Sequence, residues 1–284
     1  MTKLRLPALG KINLSLDIMG LREDGYHELS SVMQSIELAD WLTVEANNSG
    51  EIKLTCTSPA LSLGDDNLII KAAKLLQKHF CPEKGAEIYL EKHLPIGAGL
   101  GGGSSDGAAT MKALNYLWNL NLTTSDLVAL GAQLGADIPF TLIGGTAWAE
   151  GIGERLTILP PAPRLLLVLV KPAASLGAGE VYHYWDQNFG ISNCSTPQVL
   201  AALEKGEQKQ LVLSMGNDLE KAVLELTPEV QKIIEQMYAL GVVKALVSGS
   251  GPIVIGVVKD EHQGIIIKDH FLRYYDEVFF TGTI

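Results

Sequence analysis

Basic residues are scarce in this chain: 22 lysines and arginines face 32 aspartates and glutamates, a formal charge of −10. Proteins that wrap nucleic acid neutralise phosphates with clustered Lys and Arg, so the balance argues against that class, RNA-binding modules included. Long apolar runs are missing too. No uninterrupted stretch approaches the roughly 20 residues that span a bilayer, and the opening Met1-Thr-Lys-Leu-Arg-Leu-Pro7 lacks the apolar core of a secretory signal. The expectation is a soluble, cytoplasmic protein that engages neither nucleic acid nor membrane. Cysteine is limited to Cys56, Cys81 and Cys194. Odd in number, widely spaced and without metal-site spacing, they read as reduced thiols. There is no internal repeat, no low-complexity segment and no G-x-x-x-x-G-K-[ST] phosphate loop. No residue pattern reports on the oligomeric state.

What the chain does have is glycine, concentrated in Pro95-Ile-Gly-Ala-Gly-Leu-Gly-Gly-Gly-Ser-Ser-Asp-Gly-Ala-Ala109. Without Cβ atoms, Gly97, Gly99, Gly101, Gly102 and Gly103 let backbone N–H groups close on an anion, and the start of a following helix adds unsatisfied donors and a positive dipole end. Leu100 is the one bulky residue inside the run and reads as its anchor. A flexible turn and a G-x-G-x-x-G dinucleotide fingerprint are the competing readings. Against the turn stands the continuation into small residues and then Met111, Leu114 and Leu117 at helical spacing. Against the dinucleotide fold stands the stretch Asn119 to Asp126, which reads as a loop and a helix start where a strand ending in an acid is wanted. The loop is a phosphate cradle.

The prolines at 160, 161 and 163 block regular structure before the apolar run 165–170, which places a domain boundary there and gives domains 1–162 and 163–284. In the first, residues 11–19, 42–46 and 86–92 read as strands and 68–80 as a helix. Thr123-Thr-Ser-Asp126 reads as a capping-box start for a helix ending at Gly135. In the second, Thr227 is expected to cap a helix with Pro228 in its first turn, striped by Val230, Ile233, Ile234, Met237 and Leu240 and stopped by Gly241. Strands at 165–170, 242–247, 253–258 and 277–281, with a second helix at 260–272, give the order β-α-β-β-α-β, a ferredoxin-like layer. Further helical material is expected near 197–226. The class is α+β, in two domains.

Gly10-Lys-Ile-Asn-Leu14, the central glycine run and Val247-Ser-Gly-Ser-Gly-Pro-Ile253 together resemble the GHMP small-molecule kinase superfamily, which includes galactokinase, homoserine kinase and mevalonate kinase. Arg22-Glu-Asp-Gly-Tyr-His-Glu28 narrows the likeness to its 4-diphosphocytidyl-2-C-methyl-D-erythritol kinases, which phosphorylate a cytidine-diphosphate sugar alcohol of the non-mevalonate isoprenoid pathway. The resemblance runs from about Leu6 to Thr283. It implies the GHMP fold, an N-terminal nucleotide-binding domain followed by the ferredoxin-like one, and ATP with Mg²⁺ as cofactors.

The same resemblance assigns residues. ATP phosphates would lie on Pro95, Gly97, Gly99, Leu100, Gly101, Gly102 and Gly103, with Ser104 and Ser105 supplying hydroxyls. Asn67 and Lys92 fall where the family approaches adenosine; read alone, they are a turn former and a solvated charge. Asp137, in Leu134-Gly-Ala-Asp-Ile-Pro139, matches the catalytic aspartate and Lys11 its partner. A lone aspartate before Ile-Pro is otherwise a helix cap, and Lys11 stands inside an alternating apolar run where a solvated lysine is not expected. Asn13, Tyr26, His27 and, by a looser match, Tyr182 would hold the substrate, with aromatic rings on cytosine. Two departures stand out. Leu9-Gly10 replaces the Pro-Ala that many relatives carry before the lysine. The magnesium-binding glutamate of other branches has no counterpart by motif, Glu150 being a poor match.

Overall fold

A computed structural model describes residues 3–190, 192 and 194–284. Two compact units interleave along the chain. One comprises the chain through Gly10, Leu38–Ile96 and Gly101–Gly144; the other comprises Lys11–Glu37, Gly97–Leu100 and Gly145–Ile284.

Two long strands, β1 (Lys3–Leu21) and β2 (His27–Asn47), contribute to both units. The first unit adds β3 (Ile52–Cys56), α1 (Leu68–Phe80), β4 (Gly85–Glu91), α2 (Gly102–Leu117), α3 (Thr124–Gly131) and α4 (Ile138–Ile143). Its strands lie in the order β3-β4-β2-β1, with β4 antiparallel to β2 and parallel to β3. Leu42, Val44, Ile88 and Leu90 of this sheet pack with Ile69, Leu76, Met111 and Leu114 of the helices. A Cβ on Gly107 would stand 3.4 Å from Leu68 Cβ, so this glycine lets α2 approach α1 closely.

The second unit continues with β5 (Thr146–Gly151), β6 (Arg155–Ile158), β7 (Leu166–Lys171), α5 (Ala178–Asn188), α6 (Thr196–Lys205), α7 (Gln208–Ser214) and β8 (Gly216–Asn217). It closes with α8 (Glu220–Leu226), α9 (Pro228–Ala239), β9 (Lys244–Val247), β10 (Val254–Val258), α10 (Glu261–Phe271) and β11 (Glu277–Gly282). β5 pairs antiparallel with β2 and β6, and β8 pairs parallel with β1. β11-β7-β10-β9 form a four-stranded antiparallel sheet, the strand order of the expected ferredoxin-like layer. Val168, Val170, Val254 and Val278 of this sheet share a core with Ile233, Met237 and Phe271.

Several expected elements differ in extent. β1 runs well beyond residues 11–19, taking in Pro7 and Gly10. β2 starts at His27, far ahead of the expected 42–46. Its first half carries the buried polar residues Ser31, Gln34 and Ser35, which hide the apolar alternation. The Thr123 capping box is present with Asp126, but α3 ends at Gly131, short of Gly135. A Cβ on Gly131 would stand 2.6 Å from Ile138 Cγ2. Thr227 precedes α9 without making a side-chain cap bond. No helix among the described residues is long and apolar enough to cross a membrane.

Candidate active site

In the first unit the site is built around the start of α2. Gly101, at φ +67°, is its N-cap and offers no side chain to the first-turn N–H groups. Those donors, with the helix dipole, therefore remain available to an anion. Ser105 is 2% exposed, and its Oγ donates to Leu9 O at 2.6 Å and Gly101 O at 3.0 Å. Its hydroxyl thus fastens α2 to β1 instead of facing outward as expected. Ser104 is the more accessible of the two, and its Oγ stands 4.0 Å from where a Cβ on Gly135 would be, two residues before Asp137. Thr141 of α4 also donates to the Ser104 carbonyl at 3.2 Å. Asp137 occupies the N-cap position of α4 but makes no side-chain capping bond, so capping does not explain it.

Behind this loop lies a buried ionic cluster that the sequence did not reveal. Lys92, whose side chain is 6% exposed, donates to Asp40 Oδ2, and to Asp106 Oδ2 at 3.1 Å. Asp40, fully buried, also accepts from the backbone N–H of His93 and of Leu94, fixing the approach to Pro95. A Cβ on Gly102 would stand 3.0 Å from Lys92 Nζ, so the ammonium packs against the first residue of α2. Burial works to lower the Lys92 pKa, but the Asp106 and Asp40 charges outweigh it and hold it above the ordinary value. Burial, aided by the charge of Asp40 and opposed by that of Lys92, pushes the Asp106 carboxyl up to about 8. The Lys92 ammonium is therefore neither solvated nor extended toward a ligand. Asn67 caps α1, accepting from Ile69 N at 2.8 Å and donating to Ser62 O at 2.6 Å.

In the second unit Gly97–Leu100, the 248–251 turn and β1 come together. Lys11 is 5% exposed, donates from Nζ to Asn13 Oδ1 at 3.0 Å and from its backbone N–H to Leu100 O at 2.9 Å. Asn13 donates to Ser31 Oγ at 2.7 Å, which donates to Ser15 O at 2.6 Å. Gly99, at φ +80°, crosses the turn so closely that a Cβ would stand 2.2 Å from Ser248 O. A Cβ on Gly249 would stand 3.4 Å from Asn13 Oδ1 and 3.8 Å from Lys11 Nζ. Close approach thus requires glycine at 99, whereas Gly249 is favoured by its φ of +56°. The first, central and last sequence motifs all contribute residues to this one place.

The Asp24-Gly25 turn is as expected, with Gly25 at φ +83° and the Tyr26 N–H donating to Asp24 Oδ1 at 3.1 Å. Arg22 donates to Asp24 and Glu28, bracing the turn. It leaves Tyr26 61% exposed. His27 is buried, stacked on Tyr182 with centroids 4.8 Å apart and 22° between planes. Trp185 and Asp186, which sequence reasoning missed, also contact the His27 ring. Their spacing after Tyr182 on one helix was the available signal.

Family comparison agrees with this geometry. The model for the GHMP kinases N terminal domain matches residues 67–145, and that for GHMP kinases C terminal matches residues 199–277. The chain is similar to a protein of Moorella thermoacetica called 4-diphosphocytidyl-2-C-methyl-D-erythritol kinase, 43% identical over 100% of both chains. It is 41% identical to one of the same name from Pelotomaculum thermopropionicum, over 97% of this chain and 96% of the other. A crystal structure of 4-(cytidine 5'-diphospho)-2C-methyl-D-erythritol kinase superposes with a TM-score of 0.83 at 34% identity, covering 99% of each chain.

Proposed function

Because the chain belongs to the 4-diphosphocytidyl-2-C-methyl-D-erythritol kinase family of GHMP kinases, we propose that it transfers the γ-phosphoryl group of ATP to the 2-hydroxyl of 4-diphosphocytidyl-2-C-methyl-D-erythritol. The nucleotide's phosphates rest on the Gly97 to Gly103 backbone and the first turn of α2. The observation that carries this assignment is the Ser104 hydroxyl beside the Gly135 turn, which brings the end of the phosphate loop to the segment bearing Asp137. Of the two serines, Ser104 is the one assigned to phosphate, since Ser105 is tied to Leu9.

Phosphoryl transfer asks the protein for positioning, charge neutralisation and an acceptor for the hydroxyl proton. The substrate oxygen forms a bond to the γ-phosphorus, the bridging oxygen leaves with ADP, and the proton passes to the Asp137 carboxylate. Lys11, held by Asn13, supplies positive charge to the oxygen as its proton departs. Mg²⁺ keeps much of its shell from phosphate and water, which fits a site offering the Ser104 hydroxyl; when bound it neutralises phosphate charge. Lys92 serves the loop from behind as a structural cation, and Asn67 shapes the entry to α1. Tyr26 offers an exposed ring face to cytosine.

The test is a coupled ADP-release assay with ATP and Mg²⁺ against the diphosphocytidyl sugar alcohol, homoserine, mevalonate and galactose. Turnover of the first alone is expected. Comparable turnover of homoserine or mevalonate overturns the reading.

A further inference from the structure

α5 presents Tyr182, Trp185 and Asp186 at i, i+3 and i+4, positions that share one helix face. All three meet the same imidazole. Tyr182 covers a face of the His27 ring, Trp185 meets it edge-on at 6.2 Å and 90°, and Asp186 Oδ1 lies 2.7 Å from Nε2. The Asp186 oxygen lies within hydrogen-bond distance of Nε2, which places a proton on Nε2 and leaves Nδ1 as the ring nitrogen turned away from Asp186. Beside this group lies a cleft of about 500 Å³, bordered by His27, Asp186 and Trp185 together with Ile18, Met19 and Leu21.

The two aromatic contacts already pack the ring. Asp186 is 36% exposed at the cleft, and a polar contact this open to water adds little to stability. What it adds is orientation. We propose that Asp186 is a positioning residue for base recognition: by holding His27 in one tautomer and one rotation, it sets the 26–28 segment and the ring nitrogen offered to the cytosine end of the substrate. The inference rests on the proposed kinase reading and deepens it.

Asp186→Asn and Asp186→Glu are compared with the parent by steady-state kinetics, thermal melting, calorimetry with cytidine monophosphate, and nitrogen NMR of His27. For Asp186→Asn the KM for the sugar alcohol is expected to rise about tenfold, the scale of a lost hydrogen bond to a charged group. The kcat, the KM for ATP and the Tm should stay near the parent. The His27 nitrogen shifts should leave the Nε2–H pattern for a tautomer mixture, and Asp186→Glu should recover part of both effects. A sugar-alcohol KM unchanged in Asp186→Asn, or equal losses for both substrates with a lowered Tm, overturns the proposal. If the parent itself ignores the sugar alcohol, the kinase reading falls separately and cytidine monophosphate decides this one. Binding that weakens about tenfold in Asp186→Asn supports the role of Asp186, and absence of binding to the parent overturns it.

Discussion

Two buried polar clusters, one in each unit, are held together by different means. Behind the glycine loop, Asp40, Lys92 and Asp106 form an ionic cluster with two acids to one base, and Asp106 Oδ1 has no hydrogen-bond partner. Beneath the Lys11 end of β1, Asn13, Ser31, Ser15 and Thr196 form a neutral chain of hydrogen bonds, with Thr196 Oγ1 donating to Ser15 Oγ at 2.8 Å. A buried ionic cluster is sensitive to the loss of a member, since each remaining charge is left uncompensated. A neutral network loses only the hydrogen bonds removed. The cluster behind the start of α2 therefore stands at the higher energetic stake, and the network beneath the Lys11 segment at the lower.

The sharpest way to break this comparison is to remove one member from each. Asp40→Ala leaves Lys92 with Asp106 alone, strands the N–H groups of His93 and Leu94, and should cost about 3–5 kcal/mol. Ser31→Ala strands the Asn13 amide and should cost about 1–3 kcal/mol, the range for an unsatisfied buried group. Urea denaturation of both variants measures the difference, and equal costs would remove the distinction.

Chemistry and recognition separate in the same way. Asp137→Asn preserves size while losing the proton acceptor, so kcat should fall by about 10²-fold, as for loss of general-base help, with both KM values near the parent. A kcat within a few-fold of the parent would make Asp137 structural. Tyr26→Ala should raise the KM for the sugar alcohol by the equivalent of about 1–3 kcal/mol, the stacking range for a base on an aromatic ring. The KM for ATP should not move. Because the ring is 61% exposed, the Tm should hardly change, and Tyr26→Phe should match the parent. Equal losses for both substrates would take Tyr26 out of the substrate site.

How far the sequence revealed these regions depended on how local the signal was. α1 spans the residues 68–80 that read as a helix, and the glycine loop leads into α2 as its residues require. Both signals are contained within a few residues of chain. Asp40 meets Lys92 across 52 positions, and neither residue announces the other. Asp106 sat in plain view inside the glycine motif, yet one acid in a helix turn reads as surface charge until its burial is known. Asp137 drew attention through resemblance, and Lys11 through resemblance together with its place inside an alternating apolar run. The first half of β2 escaped because its buried Ser31 and Gln34 break the apolar alternation, and the partners that satisfy them, Ser15 and Thr146 among them, lie on other strands.

The smallest expected effect sharpens the comparison most. An unfolded aspartate ionises near 3.9, whereas burial, helped by Asp40 and opposed by Lys92, raises Asp106 to about 8. Between those values the folded chain retains a proton that the unfolded chain has released. The contribution of Asp106 to stability is therefore full below about pH 4, declines as pH rises through the window, and levels off above about pH 8. Asp106→Asn cannot ionise and escapes this decline. Parent and variant should melt alike near pH 4 and separate above it, with the variant ahead by on the order of 1 kcal/mol at pH 8. The gain stays below what the full shift implies, because asparagine also surrenders the charge that attracts Lys92. Ser31→Ala, in the neutral network, should track the parent at a constant offset across the same range. Melting curves of the three proteins from pH 4 to pH 9 make the measurement. Parallel curves for parent and Asp106→Asn would mean that Asp106 is ionised in the folded chain throughout, paired to Lys92 as Asp40 is, and the ionic cluster would then carry a net negative charge behind the very loop proposed to receive phosphate.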